Sequence, residues 1–300
     1  MIDAESSLPG QLRFYLNLAT LEDLPSWSGA PRGDDKTVAR GLIEAGYHGV
    51  QAEDPRPFGE HGLGLATLGR ANTVAEIETL VAQWAATGYE CGTLHIGWGF
   101  EEDQEVTALG RAVVESSRRE GIPVYIETHR ATITQDPWRT LKLVERVPEV
   151  RFNGDFSHWY TGSEMIYGDI GQKFDLLDPV FERVRFIHAR VGNSGAMQVP
   201  LADPSMTVAM EHYREMWTRS MMGFLRAAQH RSGQGEAPQL IFSPELLRSS
   251  INYARRFRTG QDTWEEDSDR WLDSLTLNRE AVACFRAAEE RLGGNSTAPT

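Results

Sequence analysis

The chain has 300 residues, 40% of them hydrophobic and 24% charged, which is typical of a soluble globular protein. Its formal net charge of −13 at pH 7 would repel phosphate backbones, so no nucleic-acid partner is expected. The longest apolar runs, such as LVAQWAA, fall far short of the roughly 20 residues that cross a bilayer, so no membrane partner is expected either.

Two features of the chain bear on its cellular location. The N-terminal stretch MIDAESSLPGQ has no basic start followed by an apolar core, so it does not read as a secretory signal. The two cysteines, Cys91 and Cys284, cannot form a disulfide framework, and CxxC spacing is absent. Both observations predict a reducing, cytoplasmic environment.

Short β-like runs alternate with amphipathic stretches along the whole chain. Eight β-like runs are predicted, over residues 12–20, 47–53, 63–69, 89–99, 122–129, 150–156, 184–192 and 239–246. The third run is the weakest because it holds two glycines and could be a loop. Residues 54–62, directly before it, are predicted as loop with little room for a helix.

Helices are predicted between the runs, over residues 34–46, 73–88, 105–121, 136–147, 206–230 and 277–294. Boundary signals support two of them. Residues 105–121 end in basic residues and glycine, and residues 136–147 begin with Asp-Pro. The last stretch, NSTAPT at 295–300, reads as a frayed tail.

Eight strands that alternate with helices predict an α/β fold, a single (β/α)₈ TIM barrel. No low-complexity linker or composition shift divides the chain, so residues 1–300 are predicted as one TIM-barrel domain with the frayed tail at its end. Neither GxGxxG nor GxxxxGK[ST] occurs, which argues against dinucleotide and P-loop folds.

Polar side chains follow the β-like runs at the ends where a barrel of this kind carries its chemistry. Four consecutive runs, the fifth to the eighth, finish with a carboxylate or an imidazole after an apolar stretch, and the fourth run adds a histidine. These residues are His95, Glu127, His129, Asp155, His158, His188, Arg190 and Glu245. A lone histidine or strand-ending acid is usually structural, but four neighbouring strand ends indicate one shared site.

Glu127, Asp155, His188 and Glu245 would supply three carboxylates and one imidazole to a divalent metal ion. This mixed oxygen and nitrogen set suits Mn²⁺, Mg²⁺ or Co²⁺, and Zn²⁺ less specifically. Three further residues are predicted to contact the substrate or to support the metal ligands: His95, His129 and Arg190.

The series Glu127, Asp155-x-x-His158, His188 and Glu245 resembles the xylose isomerase-like barrel superfamily. Within it, the sequence looks most like the ketose 3-epimerases and the sugar phosphate isomerase/epimerase group. The resemblance covers the fifth to eighth runs, about 120 residues by the positions of the runs, and the N-terminal half matches only in its alternation of strands and helices.

The resemblance implies one divalent metal ion, most simply Mn²⁺, held by the four ligands, and a small sugar-like substrate. It also implies that Glu127 and Glu245 are the acid/base pair on opposite faces of the sugar, that His158 steadies a substrate oxygen, and that the chain forms a homo-oligomer. A cation stabilises the enediolate formed when a proton next to a carbonyl is removed, which fits an isomerase or epimerase.

The sequence departs from the resembling family at two places. Ketose 3-epimerases carry an arginine several residues beyond the seventh-strand histidine, whereas Arg190 comes two residues after His188. The stretch RRFRTGQDTWEEDSDRW, at 255–271, is dense in charge and tryptophan, a pattern more typical of a solvated helix face, and no role is assigned to it.

Three other functions are considered. A lyase, deglycosidase or dehydratase acting on a 3-keto sugar or glycoside would share the same first step, and the sequence does not separate it from an epimerase. An endonuclease IV-like enzyme would need an Asp-x-His pair after His188, and residues 193–230 contain none. A catalytically inactive binding barrel would have no reason to retain both glutamates.

Overall fold

A computed structural model describes residues 10–230, 237–260 and 263–293 of the chain. Eight parallel strands close into a barrel in the order β1 to β8, and β1 pairs with β8 in register Gln11 to Gln239. The predicted (β/α)₈ barrel is therefore confirmed. The predicted tail at 295–300 and most of the N-terminal stretch lie outside the described residues.

The barrel strands and the helices alternate along the chain. The strands are β1 Gln11–Asn17, β2 Gly49–Ala52, β3 Gly64–Ala71, β4 Cys91–Ile96, β5 Val124–Glu127, β6 Phe152–Asn153, β7 Val184–Ala189 and β8 Gln239–Pro244, and a hairpin adds β9 Arg256–Arg258 and β10 Trp264–Glu266. The helices are α1 Asp35–Glu44, α2 Arg56–Gly59, α3 Val74–Thr87, α4 Asp103–Glu120, α5 Pro137–Arg146, α6 Ser157–Gly162, α7 Ile170–Phe181, α8 Met206–Gln229 and α9 Arg270–Gly293, with short 3₁₀ helices at Leu18–Leu21 and Ser249–Ile251.

The helix boundaries follow from local chemistry. Thr73 and Glu76 form a capping box at the start of α3, and Asp136 caps α5 by accepting from the Arg139 amide. Gly121 ends α4 in the left-handed conformation, with φ of 72°, which a residue with a side chain adopts only at a cost.

The interior of the barrel is filled by alternate residues of each strand, since successive side chains point to opposite faces. Residues that face outward pack against the helices in one large apolar core. Inside the barrel, a small buried cluster lies toward the N-terminal ends of the strands and consists of Tyr15, Ala66, Cys91, Phe186 and Ile241. Above it, toward the C-terminal ends, the buried interior side chains are polar and include Gln51, Asn153 and His188.

All eight predicted β-like runs are strands, but several local expectations need correction. The glycine-containing third run is a full strand, β3, because Gly69 allows close packing by Leu80 and Trp84, whose atoms would lie 2.9 and 3.0 Å from an added Cβ. Residues 54–62, predicted as loop, include the short helix α2. Residues 255–271 are typical in sequence of a helix face, but those of them that the structure describes include the antiparallel strands β9 and β10 and the start of α9.

Besides α2, two further helices, α6 and α7, were not predicted. Helix α6 is only six residues long, and its buried residues include His158. Among the described residues, no helix is long and apolar enough to cross a membrane. Cys91 and Cys284 are both free and buried. The cytoplasmic location and the homo-oligomer stay predictions.

Asp273, in α9, is expected to make stability depend on pH. Burial, with help from Asp269 and Asp267, raises the pKa of this carboxyl from 3.8 to about 6 in the folded chain. Between these values the folded state binds more protons than the unfolded state, so the free energy of unfolding should fall as pH rises from about 4 to about 6. Because Asp273 keeps part of its surface exposed, about 1 to 2 kcal/mol is expected to be lost.

Urea unfolding at pH 4.5 and 7 tests this expectation. Asp273→Asn should flatten the pH dependence and stabilise the chain at pH 7. The control is Asp35→Asn, which changes an exposed aspartate. An Asp273→Asn variant whose stability changes with pH as steeply as that of the wild type would contradict the assignment.

Candidate metal centre

The predicted site residues lie together at the C-terminal end of the barrel. Glu127 is the last residue of β5, His188 lies near the end of β7, and Glu245 directly follows β8. Asp155 comes two residues after β6, and His158 is the second residue of α6, which follows. The parallel strands bring these residues to one edge, as their positions in sequence predicted.

Four candidate ligands form one group that could hold a metal ion. Each of Glu127, Asp155, His188 and Glu245 offers a donor atom, and these four atoms lie within 4.8 Å of one another. His188 Nδ1 lies 3.1 Å from Glu127 Oε2 and 3.5 Å from Glu245 Oε2. Glu127, Asp155 and His188 are at most 2% exposed, so the donors are shielded from water.

A hydrogen-bonded layer of amide side chains lies beneath the cluster and fixes the His188 ring. The Gln51 amide nitrogen donates to Thr93 Oγ1 at 2.9 Å, so Gln51 Oε1 is left to accept from His188 Nε2 at 2.6 Å. That bond places the proton on Nε2 and turns Nδ1 toward the carboxylates. Asn153 adds a bond from its Nδ2 to Glu127 Oε2, at 3.0 Å.

Two residues, Asn17 and Thr20, hold Glu245 in place. Asn17 Nδ2 donates to its Oε1 at 2.9 Å. The Thr20 hydroxyl donates to Pro244 O at 3.3 Å and accepts from Leu246 N at 3.0 Å, so it holds the backbone on both sides of the glutamate.

Sequence reasoning missed Asn17, Thr20, Gln51 and Asn153. A signal was available for the amides, since each of them interrupts a β-like run with a polar side chain at a position that faces inward by the period of two.

Charge balance sets the protonation of the cluster. Burial alone would raise the pKa of Glu127, but His95 and His188 beside it hold that pKa well below its usual value. For His188 burial would lower the pKa, yet the Glu245 and Glu127 carboxylates raise it to about 9. Burial raises the pKa of Glu245 against the opposing effects of His188 and Arg190. The two glutamates therefore differ in proton affinity, although both face the same imidazole.

Three histidine rings, tilted to one another, lie in contact beside the cluster. The ring centroids of His95 and His129 are 4.2 Å apart, and those of His129 and His158 are 4.1 Å apart. Burial lowers the pKa of His129 to about 2 and holds that of His158 well below its usual value. Both rings are thus neutral, and neither nitrogen of the buried His158 has a hydrogen-bond partner among the described residues.

The protonation of His129 limits what it can do. His95, Glu127 and His129 also lie close enough to hold an ion. However, His129 Nδ1 accepts from the Ala131 amide at 3.1 Å, so the proton of the neutral ring is on Nε2. At Nε2, His129 therefore offers an N–H donor rather than a lone pair. His95 Nε2 lies 3.0 Å from Glu127 Oε1.

Arg190 reaches the same cluster, and its guanidinium is 2% exposed. Its Nη2 donates to Asp155 Oδ2 at 2.7 Å and to Glu245 Oε2. The structure thus brings all eight residues singled out in the sequence into one region, with Arg190 in contact with two of the four candidate ligands.

Comparisons with known proteins agree with this fold. No protein-family model matches the chain, and no curated protein matches it. A sugar phosphate isomerase/epimerase from Parabacteroides distasonis is similar to this chain with a TM-score of 0.54 and 9% identity, over 94% of this chain and 97% of that chain. A xylose isomerase-like TIM barrel protein from Mycobacterium smegmatis in complex with magnesium has a TM-score of 0.53 and 11% identity, over 94% of this chain and 98% of that chain. A D-tagatose 3-epimerase-like protein has a TM-score of 0.53 and 10% identity, over 92% of this chain and 98% of that chain.

The chain therefore has the fold of the xylose isomerase-like barrels, which confirms the resemblance seen in its sequence. The likeness, at 9 to 11% identity, establishes the fold, and the function is argued from the site.

The layer beneath the cluster predicts that Gln51 controls metal affinity. Gln51→Leu should weaken Mn²⁺ binding by about ten- to a hundredfold, because His188 loses the acceptor that orients its ring. The measurement is a competition titration against a chromophoric chelator, with thermal unfolding to verify the fold. Gln51→Glu, which keeps an acceptor oxygen toward His188, should bind close to the wild type. Equal affinities for the leucine variant and the wild type would refute this role.

Proposed function

We propose that this protein is a metal-dependent isomerase or epimerase of a keto sugar, which works by removing a proton next to a carbonyl. One observation carries the proposal. Glu127 and Glu245, from β5 and β8, both face His188 Nδ1 within a four-donor cluster, at 3.1 and 3.5 Å. Two carboxylates that meet one metal-binding group from different strands provide an acid and a base for the same substrate carbon.

The donor set fits a divalent ion. Three carboxylates and an imidazole whose Nε2 is already bonded to Gln51 form a mixed oxygen and nitrogen set of the kind that Mn²⁺, Mg²⁺ or Co²⁺ prefers. Mn²⁺ is the proposed ion. When bound, it would supply positive charge that stabilises an enediolate.

The two glutamates would move the proton. One carboxylate takes the proton from the carbon next to the carbonyl, the C–H electron pair forms the double bond of the enediolate, and the carbonyl oxygen becomes negatively charged. The other glutamate, as a carboxylic acid, returns a proton to the opposite face of the carbon and so inverts it. Of the two glutamates, Glu245 has the raised pKa and is the one more readily protonated, whereas the lowered pKa of Glu127 favours its carboxylate.

His129 and His158 would bind the sugar hydroxyls. His129 carries its proton on Nε2, and His158 has both ring nitrogens unpartnered among the described residues. Because both rings are neutral, each can donate one hydrogen bond without adding charge beside the carboxylates. His95 and Arg190 are proposed as further substrate contacts.

A second candidate is elimination from a 3-keto sugar or glycoside, with loss of water or an aglycone after the same proton removal. His129 supports this candidate, since its Nε2–H could hydrogen-bond to the departing oxygen while the protonated glutamate gives that oxygen the proton with which it leaves.

Metal content tests the site. The purified chain should hold about one divalent ion by plasma mass spectrometry, and Asp155→Ala should hold much less. The matched control is Glu44→Gln, which alters an exposed carboxylate at the end of α1. Equal metal content in Asp155→Ala and the wild type, or no binding of Mn²⁺, Co²⁺ or Mg²⁺ by the wild type, would refute the metal site.

Deuterium incorporation tests the reaction. A panel of keto sugars incubated in D₂O with the metal-loaded protein should yield an isomer or epimer that carries one deuterium, whereas elimination would show as loss of water or an aglycone. Glu127→Gln and Glu245→Gln should each lower the rate by about 10² to 10⁴-fold, while Glu44→Gln should match the wild type. A metal-loaded protein that exchanges no carbon-bound proton on any keto sugar would refute the proposal.

A further inference from the structure

Arg190 bridges carboxylates that follow two different strands. Its Nη2 donates to Asp155 Oδ2 at 2.7 Å and to Glu245 Oε2, and its Nε donates to the same Asp155 oxygen at 3.1 Å. The guanidinium is buried, so these ion pairs are shielded from water and from salt.

The oxygens that Arg190 contacts are the ones left for a metal ion. The other oxygen of Asp155, Oδ1, accepts from Ser157 N and Oγ at 3.1 and 2.5 Å. The other oxygen of Glu245, Oε1, accepts from Asn17 Nδ2 at 2.9 Å. Glu245 Oε2, by contrast, faces His188 Nδ1 across 3.5 Å, on the metal side of the cluster. A metal ion would therefore have to bind oxygens that already accept hydrogen bonds from the Arg190 guanidinium.

The guanidinium also has a second contact that does not depend on these oxygens. Arg190 Cζ lies 4.7 Å from the centroid of the Tyr253 ring, a cation–π distance. Its Nη1 is buried and has no hydrogen-bond partner among the described residues. Stacking on Tyr253 can persist when the bonds to the carboxylates break.

We propose that Arg190 is an internal competitor of the metal ion: binding of the ion displaces Nη2 from Asp155 and Glu245, and the retained positive charge lowers the affinity of the site. This inference rests on the proposed metal centre. Its consequence is that Arg190 stabilises the metal-free cluster and keeps the metal exchangeable, and that the released guanidinium becomes available to a substrate oxygen.

Calorimetric titration with Mn²⁺ tests the proposal on the full chain. Arg190→Gln, which removes the charge, should bind Mn²⁺ about ten- to a hundredfold more tightly than the wild type. Arg190→Lys, which keeps the charge, should bind close to the wild type. Mn²⁺ should also raise the melting temperature of Arg190→Gln more than that of the wild type, since the metal then replaces the lost cation.

The possible outcomes separate this inference from the metal centre itself. If the wild type binds Mn²⁺ and Arg190→Gln binds no more tightly, Arg190 is not a competitor, while the metal site stands. If neither the wild type nor Arg190→Gln binds Mn²⁺, the competition and the metal centre are both refuted. The same holds if the double variant Arg190→Gln/Asp155→Ala binds Mn²⁺ as tightly as Arg190→Gln. If only Arg190→Gln binds, the competition is supported and the metal-dependent function is refuted.

A measurement on the wild type covers the case in which Arg190→Gln does not fold. The arginine Nε–H resonance of Arg190, assigned by its absence in Arg190→Lys, should shift when Mg²⁺ is added, because Nε donates to Asp155 in the metal-free cluster. A saturating titration that leaves this resonance unmoved would overturn the proposal.

Discussion

The burial of three carboxylates at one end of the barrel is the constraint on which the rest of the site depends. A buried charge that lacks a partner costs several kcal/mol, so each carboxylate needs a compensating group. Glu127 lies beside His188, and Asp155 and Glu245 share Arg190. The same atoms that could bind a metal ion therefore form an ion-pair network, and any cation that enters must replace partners supplied by the chain. A substitution that changes one of these ion pairs therefore also changes the geometry of the donor atoms and the affinity of the site for a metal ion.

The layer of amide side chains inside the barrel fixes the positions of Glu127, His188 and Glu245 through hydrogen bonds. Alternate residues of β1, β2, β4 and β6 place Asn17, Gln51, Thr93 and Asn153 directly beneath the strand ends. Asn17 Nδ2 also lies within 3.3 Å of Gln51 Oε1, so the layer is continuous from Glu245 to His188. Such a network tolerates little substitution, because each amide satisfies two partners that would otherwise be buried and unpaired.

The sequence predicts the strands and the placement of the chemistry because both depend on local patterns. Apolar runs give the barrel strands, and in a parallel barrel all their C-terminal ends meet, so Glu127, Asp155 and His188 had to converge. The β9–β10 hairpin could not be predicted in this way, because its position depends on tertiary ion pairs. Arg255 joins Asp203 and Asp267 there. The hydrogen bonds from Arg190 to Asp155 and Glu245 could not be predicted either. The position of Arg190 in its strand predicts that the side chain reaches the site, but not which atoms it contacts there.

Environment rather than residue type decides what the imidazoles do, and this bears on the substrate. His188, between two carboxylates, has its pKa raised to about 9, whereas for His129 and His158 the effect of burial outweighs that of the nearby carboxylates and keeps both rings neutral. The cationic groups that contact the cluster, His188 and Arg190, are already paired with carboxylates. What the neutral rings offer a ligand is therefore hydrogen-bond donation without net positive charge. Neutral donors of this kind suit the uncharged hydroxyls of the keto sugar proposed as substrate, because they add no positive charge beside the carboxylates.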